Sequence, residues 1–151
     1  MTTKGSSRGK AGAPVILLVE DELVVREVTR EVLQHAGYRV LECSSAKEAL
    51  QLAMNPAAEI DLLLTDVVMP EMNGADLAAC LLRMRPELVA VFMSGYAESE
   101  VAKKMNRSSA VHIQKPFTVN LLLARVAEAL QNHSAPKDGM GSAIPVAEAA
   151  R

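Results

Sequence analysis

The chain has no tryptophan, two tyrosines and two phenylalanines, so aromatics make up only 3% of its 151 residues. A nucleic-acid surface needs aromatic platforms for bases or a basic stripe for phosphates. Neither is present: residues 15–131 carry eleven basic and sixteen acidic side chains. Direct nucleic-acid contact is therefore not expected. Cysteine is equally scarce. Cys43 and Cys80 are the only two, which excludes a disulfide framework and offers no zinc-ligand spacing. A reducing cytoplasm is the expected location. No apolar run approaches the roughly 20 residues that a membrane-spanning helix needs, so no membrane association is expected. Residues 1–14 lack the apolar core of a secretory signal.

What is present is leucine, valine, alanine and methionine. Half the residues are hydrophobic and 23% are charged, a globular composition. A mass of 16.2 kDa suits one domain with loose ends. Three segments are expected. Residues 1–14 hold Lys4, Arg8 and Lys10 among glycine and serine, a flexible basic segment suited to a linker. Residues 15–131 form the folded domain. Residues 132–151, with Pro136, Gly139, Gly141 and Pro145, read as a disordered tail too short for an effector domain.

Within the domain, short apolar runs alternate with helical patterns. Val15–Val19 reads as a buried strand. Glu22–Ala36 places Val25, Val28, Val32 and Ala36 at helical spacing, and Gly37 is a natural stop. Tyr38–Leu41 is a second strand. Ser45 with Glu48 forms a capping-box pattern for a helix to about Met54. Strands at Ile60–Thr65, Leu88–Met93 and Ala110–Ile113 follow. Between and after them come helices at Gly74–Met84, Ala97–Asn106 and from Thr118 to about Gln131. Strands this short and apolar need both faces covered. The fold class is therefore α/β: a doubly wound five-stranded parallel sheet, (βα)5 and flavodoxin-like, with a site at the strands' carboxyl ends where the winding reverses.

Those carboxyl ends hold the polar residues. The first strand runs into Glu20-Asp21-Glu22, the third into Asp66, the fourth into Ser94-Gly95, the fifth into Lys115-Pro116. Three carboxylates in one cleft repel each other, and a hard divalent cation is what justifies them. Mg²⁺ takes oxygen ligands, commonly one or two carboxylates plus a phosphate. Lys115 offers a point charge for a phosphoryl oxygen, and Ser94 a hydroxyl.

LLVEDE at Leu17–Glu22, LLLTDVVMPEMNG at Leu62–Gly74, MSGY at Met93–Tyr96 and QKPF at Gln114–Phe117 occur in this order at strand ends. Together they resemble the response-regulator receiver domain of two-component phosphorelays. The resemblance implies that Asp66 takes a phosphoryl group from a phosphohistidine on a sensor histidine kinase or histidine phosphotransfer protein. It implies Mg²⁺ held by Asp21, Asp66 and the Val68 backbone carbonyl, with Glu20 acting through water. It implies a Lys115 that stabilises phosphoryl charge, a Ser94 that turns to the new phosphoryl group, and a cis Lys115-Pro116 bond. Such a domain is not an enzyme for a separate substrate, although it promotes its own phosphorylation and dephosphorylation. It works as a monomer or a phosphorylation-dependent dimer. The wording of MSGY and QKPF resembles receivers appended to hybrid histidine kinases.

Some positions depart from the family pattern. Glu20 stands where many relatives have aspartate. His112 stands where tyrosine or phenylalanine is usual; it is either a switch side chain that turns inward or a strand-end surface histidine. Val68 and Tyr96 bring no carboxylate or amide to orient a hydrolytic water, which predicts a long-lived acyl phosphate. Leu23 and Val24, at the first helix beside the cleft, are candidate docking residues. Two other functions compete. A haloacid-dehalogenase-like phosphohydrolase also uses an Asp nucleophile, Mg²⁺ and Lys, but wants a second Asp where Val68 stands. A pseudo-receiver that only docks partners would not need the complete set of acids, Ser and Lys.

Overall fold

The computed structural model describes residues 12–95 and 111–134. Five strands and four helices are described: β1 (Val15–Val19), α1 (Leu23–His35), β2 (Arg39–Cys43), α2 (Ala46–Ala53), β3 (Leu62–Asp66), α3 (Gly74–Met84), β4 (Val89–Ser94), β5 (Val111–Gln114) and a last helix, α4 (Val119–Ser134). The helix expected at Ala97–Asn106 and most of both tails lie outside the described residues.

The five strands form one parallel sheet in the order β2-β1-β3-β4-β5. The chain moves from β1 to β2 on one side and then crosses to β3 on the other. That reversal opens a crevice at the carboxyl ends of β1 and β3, where ligands of open α/β sheets bind.

Alternation along the strands divides the core into two layers, since successive side chains point to opposite faces. Leu17, Val19, Leu63 and Phe92 pack with Ala46, Ala49 and Ala53 of α2 and Leu77, Ala78 and Leu81 of α3. Ile16, Leu18, Leu62, Leu64, Val91, Met93 and Ile113 pack with Leu33 of α1 and Leu122, Val126 and Ala129 of α4. With both faces covered, every residue of β1 and β3 is buried. Each fully buried leucine or isoleucine contributes roughly 2 kcal/mol relative to exposure.

The observed elements differ from the expected ones in informative ways. The second strand extends to Cys43, because β1 continues to pair with it through Val19↔Cys43. The buried residues of α1 are Thr29 and Leu33, whereas Val28, expected on the inner stripe, is 58% exposed. Thr29 tolerates burial because its hydroxyl donates to the Val25 carbonyl at 2.7 Å, a helix back-bond that satisfies it locally. Ser45 caps α2 by accepting from Glu48 N–H at 3.2 Å. The Glu48 carboxylate, however, accepts from Ser44 N–H at 2.7 Å, one residue earlier than a regular capping box. Thr118 Oγ1 accepts from Leu121 N–H at 3.0 Å and so caps α4 as expected.

Candidate functional site

The parallel register delivers the acids to one place. β1 and β3 pair through Val19↔Thr65, so Glu20, just past β1, and Asp66, the last residue of β3, come side by side. Carboxylate oxygens of Glu20, Asp21 and Asp66 all lie within 4.8 Å of one another. Glu20 and Asp66 are buried, and Asp21 is exposed.

Lys115 enters from the other side. It follows β5 directly, and its N–H donates to the Ser94 carbonyl at 2.8 Å, which extends the β4–β5 pairing by one step. The Lys115-Pro116 bond is cis, as the resemblance implied. Lys115 Nζ lies 2.6 Å from Asp66 Oδ1 and 2.9 Å from Glu20 Oε1. One ammonium thus bridges two buried carboxylates. The second Glu20 oxygen accepts from Glu22 N–H at 3.1 Å.

Electrostatics follow from this shortage of positive charge. Burial and the adjoining Glu20 push the Asp66 carboxyl up to about 8, against the pull of Lys115. Burial also works on Glu20, but bonds from Asp66, Lys115 and Glu22 N–H outweigh it and hold Glu20 below its ordinary range. The two acids therefore titrate together, with Asp66 pushed up and Glu20 held down. Burial works against charge on Lys115 too, and its two carboxylate partners raise it above the ordinary lysine value.

The loop after Asp66 is held by backbone hydrogen bonds. Val67 N–H donates to the Met93 carbonyl at 2.9 Å, and Gly74 N–H returns to the Val67 carbonyl at 2.7 Å. A Cβ at Gly74 would run into the Asp66 carbonyl oxygen, so the turn closes only on glycine. Glu71 sits at φ 75°, the left-handed region, while Met72 N–H reaches the Pro70 carbonyl at 2.8 Å. Asn73 Oδ1 accepts from Asp76 N–H at 2.8 Å and caps α3. Val68, two residues past the acid, has a side chain 51% exposed. Buried Ser94 ends β4, one residue beyond the Met93 that pairs with Asp66.

His112 lies on β5, further from the acids. Its ring stacks on Phe92 with centroids 5.4 Å apart, and neither ring nitrogen has a hydrogen-bond partner among the described residues. Burial holds its pKa below the ordinary histidine value. It is a packed side chain rather than a free surface histidine. Tyr96 lies outside the described residues.

Residues 16–127 match the sequence profile of the response regulator receiver domain. The chain belongs to that family. The receiver is 38% identical over 122 residues to the sensor kinase CckA of Brucella abortus, a match covering 80% of this chain and 13% of that kinase. Among solved structures, the receiver domain of the hybrid histidine kinase CckA superposes with a TM-score of 0.66 at 33% identity, covering 78% of this chain and 99% of that one. A CheY-like receiver from Methanospirillum hungatei superposes with a TM-score of 0.73 at 28% identity, covering 85% of this chain and all of that one. The domain is thus a phosphoacceptor of two-component signalling, in the doubly wound fold expected of it. No helix among the described residues is long and apolar enough to cross a membrane.

Sequence reasoning located Glu20, Asp21, Asp66, Ser94 and Lys115 at strand ends. It missed the Glu20–Lys115 bridge, because an ion pair between residues 95 positions apart leaves no local signal. It also placed Gly74 only at the start of a helix, and the approach of Gly74 to the Asp66 carbonyl needs the folded loop to be seen.

Proposed function

We propose that Asp66 is the residue phosphorylated, and that Asp21, Asp66 and the Val68 carbonyl hold Mg²⁺ beside it, with Glu20 acting through water. The observation that carries this reading is the bridge from Lys115 to Asp66 at 2.6 Å beside a three-carboxylate cluster. The donor set fits the ion: three hard oxygen ligands with a net negative charge that one lysine does not balance. Mg²⁺ bound there supplies positive charge for the transferring phosphoryl oxygens.

The rest of the chemistry belongs to the chain. Asp66 first releases to solvent the proton that burial favours, and one of its carboxylate oxygens then attacks phosphorus as the P–N bond of a donor phosphohistidine breaks. The bonding pair returns to the imidazole nitrogen, and the product is an acyl phosphate. Burial at the end of a rigid strand fixes the direction of that oxygen for in-line attack. Lys115 exchanges its carboxylate contact for a phosphoryl oxygen and stabilises the spread charge. Ser94 donates its hydroxyl to a second phosphoryl oxygen, and His112 repacks against Phe92 as the switch. The donor is a cytoplasmic histidine kinase or phosphotransfer protein, docking over Leu23 and Val24, which are 55% and 70% exposed. Similarity to the CckA receiver favours a relay within a hybrid kinase. Incubation with acetyl phosphate and Mg²⁺ tests the reading. Intact mass should rise by one phosphoryl group in the wild type and not at all with EDTA or in Asp66→Asn. Equal uptake by Asp66→Asn would overturn it.

A further inference from the structure

The Glu20 carbonyl lies just past the point where the β1 ladders end, at Val19↔Cys43 on one side and Val19↔Thr65 on the other. Its residue is fully buried. A carbonyl there has no strand partner, and leaving it unpaired is costly. It is satisfied by Arg26, one turn into α1, whose Nη1 donates to it at 2.9 Å. On the other side of the same residue, Glu20 N–H donates to the Cys43 carbonyl at 3.1 Å. The guanidinium is anchored in turn. Its Nε lies 3.2 Å from Glu42 Oε1 on β2, and the other Glu42 oxygen is held by Arg30 Nη1 at 2.6 Å. Arg26 is only 15% exposed.

We infer that Arg26 is a positioning residue for the acid cluster: it clasps the Glu20–Asp21 peptide so that both carboxylates face Asp66 together. The carbonyl it holds belongs to the peptide plane that carries Asp21 N–H and sets the Asp21 Cα. Rotation of that plane would turn exposed Asp21 away from the two buried acids. The inference rests on the reading that this cluster holds Mg²⁺. Charge and geometry pull in opposite directions here, which makes the role separable. As a cation near the site, Arg26 repels Mg²⁺, so its removal would tighten binding if charge alone mattered. As a clasp, it organises the ligands, and its removal weakens binding. Groups that orient metal ligands from behind typically account for about tenfold or more in affinity.

The test is Mg²⁺ titration of the full chain by calorimetry, with metal-free circular dichroism to confirm folding. Arg26→Gln should weaken the Mg²⁺ Kd by about tenfold. Arg26→Lys, which keeps the charge and one donor, should recover part of that loss. Glu42→Gln, which leaves Arg26 in place but loosens its outer anchor, should weaken Kd by about twofold and carries the test if Arg26→Gln does not fold. An unchanged or tighter Kd in the folded Arg26→Gln protein overturns the inference and leaves the metal reading intact. If Arg26→Gln does not fold, an unchanged Kd in Glu42→Gln does the same. No Mg²⁺ binding by the wild type overturns both.

Discussion

A buried acid that keeps its proton to about pH 8 should leave a mark on metal-free stability. In the unfolded chain Asp66 titrates near its ordinary 3.8; in the native chain it titrates at about 8. Between those values the native state holds a proton that the unfolded state has shed, so stability falls as pH rises. The contribution is complete below about pH 4 and is lost on the way to pH 8. The slope has a ceiling of about 1.4 kcal/mol per pH unit, which amounts to roughly 2 kcal/mol between pH 6 and pH 8. For a domain of this size that is a fall in Tm of about 4–8 °C. His112 acts in the opposite sense: burial depresses its pKa, so stability is lost as pH falls below about 6.5, its unfolded value. The comparison with Asp66→Asn removes that contribution, since His112 is common to both proteins. Calorimetric melting in EDTA at pH 6, 7 and 8 should give a falling Tm for the wild type and a flatter profile for Asp66→Asn. The variant should be the more stable protein at pH 8. Parallel profiles for the two proteins would refute the reasoning.

Three further outcomes follow from the loop and its glycine. Gly74→Ala should lower stability by about 2–4 kcal/mol, because its Cβ meets the Asp66 carbonyl oxygen rather than a flexible side chain; denaturant unfolding measures it, and a loss below 1 kcal/mol would contradict the close approach. Glu71→Gly should stabilise by about 0.5–1 kcal/mol, since φ 75° costs a residue with a Cβ more than glycine; a destabilised variant would count against strain there. Val68→Asn should shorten the life of the acyl phosphate, because an amide beside Asp66 can orient the attacking water where the exposed valine cannot; decay of purified phosphoprotein in Mg²⁺ reads it, and an unchanged rate would place the control elsewhere.

Much of this was legible because local and global signals agree. The runs VILLV and LLLT could only be strands covered on both faces, whereas Ile60 and Asp61, expected in the second of them, stand before β3; the covered runs demanded parallel pairing and a site at the winding reversal. Residues at strand ends are fixed by position, which is why Asp66 and Lys115 could be brought to one cleft before their 2.6 Å contact was seen. Tertiary facts were not legible. Val28 matches the helical period as well as Thr29 does, and only the rotation of α1 on the sheet decides that Thr29 is inside. Arg26 carries no local signal of its own, since its meaning depends on a carbonyl outside the helix. His112 could not be settled from type alone, because its stacking on Phe92 arises from the β4–β5 register.

The most direct measurement of the central claim is the location of the phosphoryl group. After phosphorylation with acetyl phosphate and Mg²⁺, borohydride reduces an aspartyl phosphate to the corresponding alcohol, and peptide sequencing by mass spectrometry finds the altered residue. The account predicts one such site, position 66, with none in Asp66→Asn and little in Lys115→Ala. Reduction at any other aspartate in the wild type, or a phosphoprotein that borohydride leaves untouched, would contradict it.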